Sequence, residues 1–119
     1  MNLETYFFAD CCSEIKIVLT GDVLEKQSGF QGTYRIENDL ENGRKHWTSL
    51  DGMQAIWFDN LVSNSWMIGS SSNRGSNSGG IHSAHDSGGP TQNGMRFKYL
   101  KSSGSLLLAP KNSVSLTCS

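Results

Sequence analysis

The sequence predicts an all-β fold, a compact antiparallel sandwich or barrel of about eight short strands, and three observations carry that prediction. Between Gly29 and Gly69, three tryptophans and a Gly-x-Tyr fall in short runs of β-branched and aromatic residues. Those runs are separated by Asn42-Gly43, Asp51-Gly52 and Asp59-Asn60, pairs that favour tight turns. No segment has the length or the apolar period of about 3.6 residues that marks a helix.

Taken in order, residues 14–20 alternate Ile15, Ile17 and Leu19 with Lys16 and Thr20, giving one buried and one wetter face. Residues 21–32 read as a loop with a short apolar patch, and residues 33–36 resume extended structure. Asn42-Gly43 suits a turn with positive φ, returning the chain into a strand at 45–48 that carries Trp47. Residues 53–58 are apolar on both faces, as expected of a central strand. A strand at 65–69 brings in Trp66 and Met67. From 70 to 94 the composition shifts to Ser, Gly, Asn and His, which predicts a long polar loop with one short edge strand at 80–84. Alternation returns at 95–100, where Met95, Phe97 and Tyr99 oppose Arg96 and Lys98. A strand at 105–109, a turn at Pro110-Lys111-Asn112 and a closing strand with Val114, Leu116 and Cys118 on one side complete the pattern. The expected organisation is an N-terminal extension at 1–13 and a single β domain at 14–118 with the long polar loop at 70–94.

Composition removes several classes of function from consideration. The formal net charge is -1, and the ten Lys and Arg residues are scattered rather than striped, so the chain offers no field to steer nucleic acid. Its apolar runs fall far short of the ~20 residues of a membrane-spanning helix, so no membrane insertion is expected. The opening MNLETYFFADCC lacks the basic region and apolar stretch of a secretory signal. The chain is therefore expected to be either cytosolic or a module of a longer secreted parent. Cys11 and Cys12 lie near the start and Cys118 near the end. A bridge such as Cys12 to Cys118 would tie the termini together and constrain the unfolded chain by about 4 to 5 kcal/mol in the chain-entropy model. Three reduced thiols are the competing reading. No Asn-x-Ser/Thr sequon is present.

The succession Gly32-x-Tyr34, Asn42-Gly43-Arg44 with Trp47 three residues on, then Trp57 in IWF and Trp66-x-Ile68-Gly69, resembles a small Trp/Gly-rich β module of large modular proteins in protists and marine invertebrates. Its opening and closing strands often carry a cysteine each, which here corresponds to Cys118. The resemblance implies an extracellular β-rich interaction domain without an assigned activity. The doubled cysteine at Cys11 and Cys12 and the missing signal depart from that pattern.

Asp86-Ser87-Gly88-Gly89-Pro90 reproduces most of the segment around the nucleophile of chymotrypsin-like serine proteases, and residues 83–85 echo a catalytic histidine segment. The match is rejected, because that triad is assembled from two barrels and this chain is about half long enough. His85 also replaces the glycine beside the oxyanion-hole backbone. Ser87 would be activated only if His46 or His82 folded to within ~3 Å of it. His82, His85 and Asp86 supply two imidazoles and a carboxylate, a metal-ligand set that requires the loop to leave extended structure, since strand residues three apart face opposite ways. Solvent-exposed polar side chains are the plainer reading of the same residues.

Trp47, Trp57 and Trp66 are first of all core residues, given how much area an indole buries. The functional alternative leaves Trp47, beside Arg44 and His46, exposed at a sheet rim to stack on a sugar or a partner. The sequence thus predicts a non-catalytic binding module without a cofactor, recognising glycan or protein through Arg44, His46, Trp47 and the polar loop. The alternative is a small hydrolase or metal-binding domain using His82, His85, Asp86 and Ser87.

Overall fold

Strand β1 (Glu14–Leu19) turns Ile15, Ile17 and Leu19 inward and leaves Lys16 and Val18 outside, as its alternation predicts. The computed structural model of the protein describes residues 13–84, 89–91, 95–101 and 104–118. After β1 come β2 (Gly32–Ile36), β3 (Trp47–Ser49), β4 (Gln54–Asp59), β5 (Ser65–Ser70), β6 (Ile81–Ser83), β7 (Phe97–Leu100), β8 (Leu106–Leu108) and β9 (Val114–Cys118). They form one antiparallel sheet in the order β8-β7-β6-β5-β4-β3-β2-β1-β9. The chain is thus an up-and-down meander whose last strand returns to lie beside the first, with Ile17 opposite Leu116. β4 is the middle strand, as its two apolar faces predict.

The sheet curls into a half-barrel. Its two edge strands, β8 and β9, are consecutive in sequence, and the connection from Leu108 to Val114 reaches at most about 20 Å when fully extended. A flat sheet of this width is impossible under that tether, and the right-handed twist of the strands supplies the curl. Inside lies one continuous core that includes Ile15, Ile17, Tyr34, Trp47, Ile56, Phe58, Trp66, Ile68, Phe97 and Leu116. The opposite faces of β4 and β5 carry a second, smaller cluster of Ala55, Trp57 and Met67.

Two sequence expectations are corrected here. The segment expected as loop at 21–32 contains helix α1 (Gly21–Gln27), followed by a short 3-10 turn (Ser28–Phe30). Gly21 adopts φ +64°, a left-handed conformation that lets the chain leave β1 and enter the helix. Two turns carrying only Val23 and Leu24 as apolar residues leave no readable period; tertiary packing forms the helix instead, with Val23 fully buried and the Tyr99 hydroxyl donating to Asp22. The second correction concerns β6, which is not an edge strand: it pairs with β5 at Met67↔His82 and with β7 at His82↔Lys98.

The turns follow the sequence closely. Asn42 (φ 55°) and Gly43 (φ 80°) form the two-residue turn of a small hairpin closed by reciprocal Glu41 and Arg44 backbone hydrogen bonds. The connection from β4 to β5 is built around the buried Asp59 carboxylate, which accepts from the backbone N–H groups of Leu61 (3.0 Å) and Ser63 (2.9 Å) and from the Ser63 hydroxyl (2.8 Å). Cys118 is disulfide-bonded. The expected partner, Cys12, lies outside the described residues, as do His85, Asp86 and Ser87. Among the described residues no helix is long and apolar enough to cross a membrane.

Candidate binding cleft

Loop 71–80 is where the polar composition of the sequence acquires a structure. Its Ser and Asn residues satisfy one another: the Ser76 N–H donates to Asn73 O (3.1 Å), the Ser76 hydroxyl donates to the same oxygen (2.7 Å), and Ser76 Oγ accepts from the Ser78 N–H (3.1 Å). Ser71 anchors the loop to the β3–β4 turn through Met53 O (2.9 Å) and Gly52 O (2.7 Å). The loop then folds flat over Trp57 and Met67, with Trp57 Nε1 donating to Ser76 O at 2.7 Å. Glycines permit this contact. A Cβ at Gly69 would stand 2.9 Å from the Gly79 Cα and 3.0 Å from the Trp57 ring, closer than side-chain carbons come.

The far side of the loop forms one wall of a cleft of about 550 Å³, within the size range of small-ligand sites. Asn73, Asn77 and Ser78 line this wall, Gly79, Gly80 and His82 continue it into β6, and Gln27 at the end of α1 and Phe30 in the 3-10 turn after it complete the lining on that side. Leu100 and Leu106, from the paired ends of β7 and β8, supply the apolar wall. Gly80 is what lets the helix end reach in, because a Cβ there would meet Phe30 Cε2 at 2.6 Å and Gln27 Oε1 at 2.7 Å. Gln27 Nε2 donates to Leu100 O (2.7 Å) and so fastens α1 to the outer strands. Beyond that bond the surface continues into a depression of about 350 Å³ flanked by Lys26 and Lys101.

The described lining of the larger cleft contains no Asp, Glu, Lys or Arg. His82 is half-buried, and burial pushes its imidazole below the usual histidine range, so it is neutral at pH 7. Its Nε2 faces the Gly79 carbonyl at 2.7 Å, and because a carbonyl only accepts, Nε2 carries the proton and Nδ1 is left as an acceptor. The side-chain amides of Asn73 and Asn77 are exposed and make no hydrogen bond within the described residues. The groups on offer are neutral donors and acceptors set opposite an aliphatic wall.

The structure places the predicted rim elsewhere and gives it another task. Trp47 is fully buried, because β3 lies between β2 and β4 and directs its ring into the core, where it packs 6.0 Å from the Trp66 ring. It is therefore not available to stack on a ligand. His46 is buried too, its Nε2 donating to Asp39 Oδ1 at 2.8 Å, and that hydrogen bond holds the exposed Asp39 carboxyl below the usual carboxylate range. The Arg44 guanidinium lies 3.7 Å over the centre of the Phe58 ring and 5.9 Å from that of Trp66, a cation–π lid on the core. Arg44, His46 and Trp47 hold one end of the half-barrel together.

Of the residues grouped in the sequence as a metal or hydrolase set, His82 is described and borders the cleft; His85, Asp86 and Ser87 lie outside the described residues. Sequence reasoning missed Phe30, Leu100 and Leu106 as cleft residues. The available signal was the run Leu106-Leu107-Leu108, since alternate strand residues face opposite ways and three consecutive leucines cannot all enter one core. All three are exposed. Comparison of the chain with protein-family models, with curated proteins and with solved structures found no match.

Proposed function

We propose that the protein is a non-catalytic binding module whose ligand seats in the cleft between loop 71–80 and the β7–β8 edge. The observation that carries this reading is the uncharged lining, in which two amides without internal partners, a neutral imidazole and an aliphatic wall converge. Groups of this kind orient and desolvate a ligand. Among the described lining residues there is no carboxylate, thiol or amine, and the one imidazole, His82, has its Nε2 held by the Gly79 carbonyl rather than by a nucleophile's hydroxyl. The expected rim of Arg44, His46 and Trp47 is replaced by this cleft, while the polar loop keeps the role that its composition suggested. The Cys118 disulfide and the resemblance to modules of extracellular proteins support a setting outside the reducing cytosol.

The test is thermal denaturation of the full chain with neutral saccharides, uncharged peptides, divalent metals and a chelator, because a ligand selective for the native state raises Tm. An uncharged ligand is expected to raise Tm and to shift the NMR signals of Asn77 and His82 while remaining chemically unchanged on long incubation. Conversion of the bound ligand to product would overturn the reading in favour of a small hydrolase. A rise with zinc that vanishes in His82→Ala would favour a metal site instead.

A further inference from the structure

Resting on that reading, we infer that the cleft recognises a neutral, hydroxyl-rich sugar ring, a hexopyranose within a glycan chain, and discriminates against anionic sugars. Recognition of a sugar ring has two physical requirements, and the cleft meets both. A ring hydroxyl donates one hydrogen bond and accepts others, so neighbouring hydroxyls are best met by groups that themselves do both. The Asn73 and Asn77 amides are such groups and have no internal partner to give up, and His82 Nδ1 adds an acceptor from β6. The other requirement is an apolar surface for the C–H face of the ring, which Leu100, Leu106 and the half-buried Phe30 provide.

Charge decides what is refused. A carboxylate or sulfate entering this cleft would lose water and meet no cation on the described lining, which costs more than neutral hydrogen bonds return. Lys26 and Lys101 stand beyond the Gln27–Leu100 hydrogen bond, in the neighbouring depression. A peptide would be held chiefly through its backbone along a strand edge, whereas the polar groups here are side chains from loop 71–80, β6 and the end of α1.

The experiment is titration of the full chain, by calorimetry and NMR, with neutral gluco-, manno- and galacto-oligosaccharides, with sulfated and sialylated counterparts, and with uncharged peptides. A neutral oligosaccharide is expected to bind and to shift the signals of Asn77 and His82. Asn73→Ala and Asn77→Ala, both at exposed positions, should each weaken binding by about tenfold without lowering Tm, and Leu106→Asp should weaken it by at least as much. Tighter binding of the sulfated or sialylated sugars overturns the inference, as does neutral-sugar binding that both asparagine variants leave unchanged. Peptide binding that shifts the cleft signals, with no sugar binding, overturns the sugar assignment and leaves the binding module standing. Silence of the cleft signals towards every probe overturns both.

Discussion

Trp57 stands on the outer face of the middle strand, an orientation that in a half-barrel usually points to water, yet its exposure is 0%. Loop 71–80 covers it, and the indole N–H is satisfied by Ser76 O. Trp57→Ala is expected to lower stability by about 3 to 5 kcal/mol, measured by urea denaturation; a loss below about 1 kcal/mol would mean that the loop does not shield the ring. Trp57→Phe should be milder but should still loosen the loop, since the Ser76 carbonyl loses its donor. The three tryptophans were legible as core residues from their placement on neighbouring short strands. The burial of His46 was not, because it depends on Asp39 reaching back to its ring and on Arg44, from the small hairpin, covering Phe58 at that end of the sheet.

The β4–β5 hairpin owes its shape to Asp59. Burial alone would push this carboxyl up, but hydrogen bonds from Ser63, Leu61 and Val62 outweigh it and hold it below the usual carboxylate range. A depressed folded pKa means that the ionised form stabilises the fold above the ordinary carboxyl value near 3.9, and that this contribution is lost as pH falls through the lower folded value. Stability followed by urea denaturation between pH 6 and about pH 2 should therefore decline below about pH 4, and more steeply in the wild type than in Asp59→Asn. Asp59→Ala should cost about 1 to 3 kcal/mol at pH 7. The turn pair Asp59-Asn60 announced a turn, and the four donors that cage the carboxylate lie within the next four residues of that turn.

Gly69 sets the register between β5 and the loop that roofs it. Gly69→Ala would press a methyl against the Gly79 backbone and the Trp57 ring, so a loss of about 1 to 3 kcal/mol is expected. Because Gly79 lines the cleft, the same change should weaken whatever the cleft binds. Helix α1 is the counterexample at this scale. Its residues carry little intrinsic signal, and it forms because Val23 fills the open end of the core and Gln27 is fastened to Leu100.

Across the whole molecule, β9 carries the closing contacts, joining the end of the chain to its beginning along five paired positions with β1. The Cys118 disulfide reinforces that edge. Cys118→Ser should cost about 2 to 5 kcal/mol, and adding reductant to the wild type should reproduce most of that loss while leaving the variant unchanged in Tm. A variant that keeps the reductant sensitivity would assign the effect to other thiols. Curling of the sheet also gathers the cleft: the end of α1, loop 71–80 and the β7–β8 pair are far apart in sequence and meet only because the meander bends.

The sequence by itself determined the all-β class, the turn positions, the central place of β4 and the inward faces of β1 and β7, because strand alternation and turn chemistry are local properties of a few neighbouring residues. Tertiary structure alone decided that 21–27 is helical, that β6 is interior, that Arg44 and His46 support the fold, and where a ligand could sit. Those outcomes turn on burial and on contacts between residues more than seventy positions apart, such as Gln27 with Leu100 at a separation of 73 and Asp22 with Tyr99 at 77, and no local pattern encodes them.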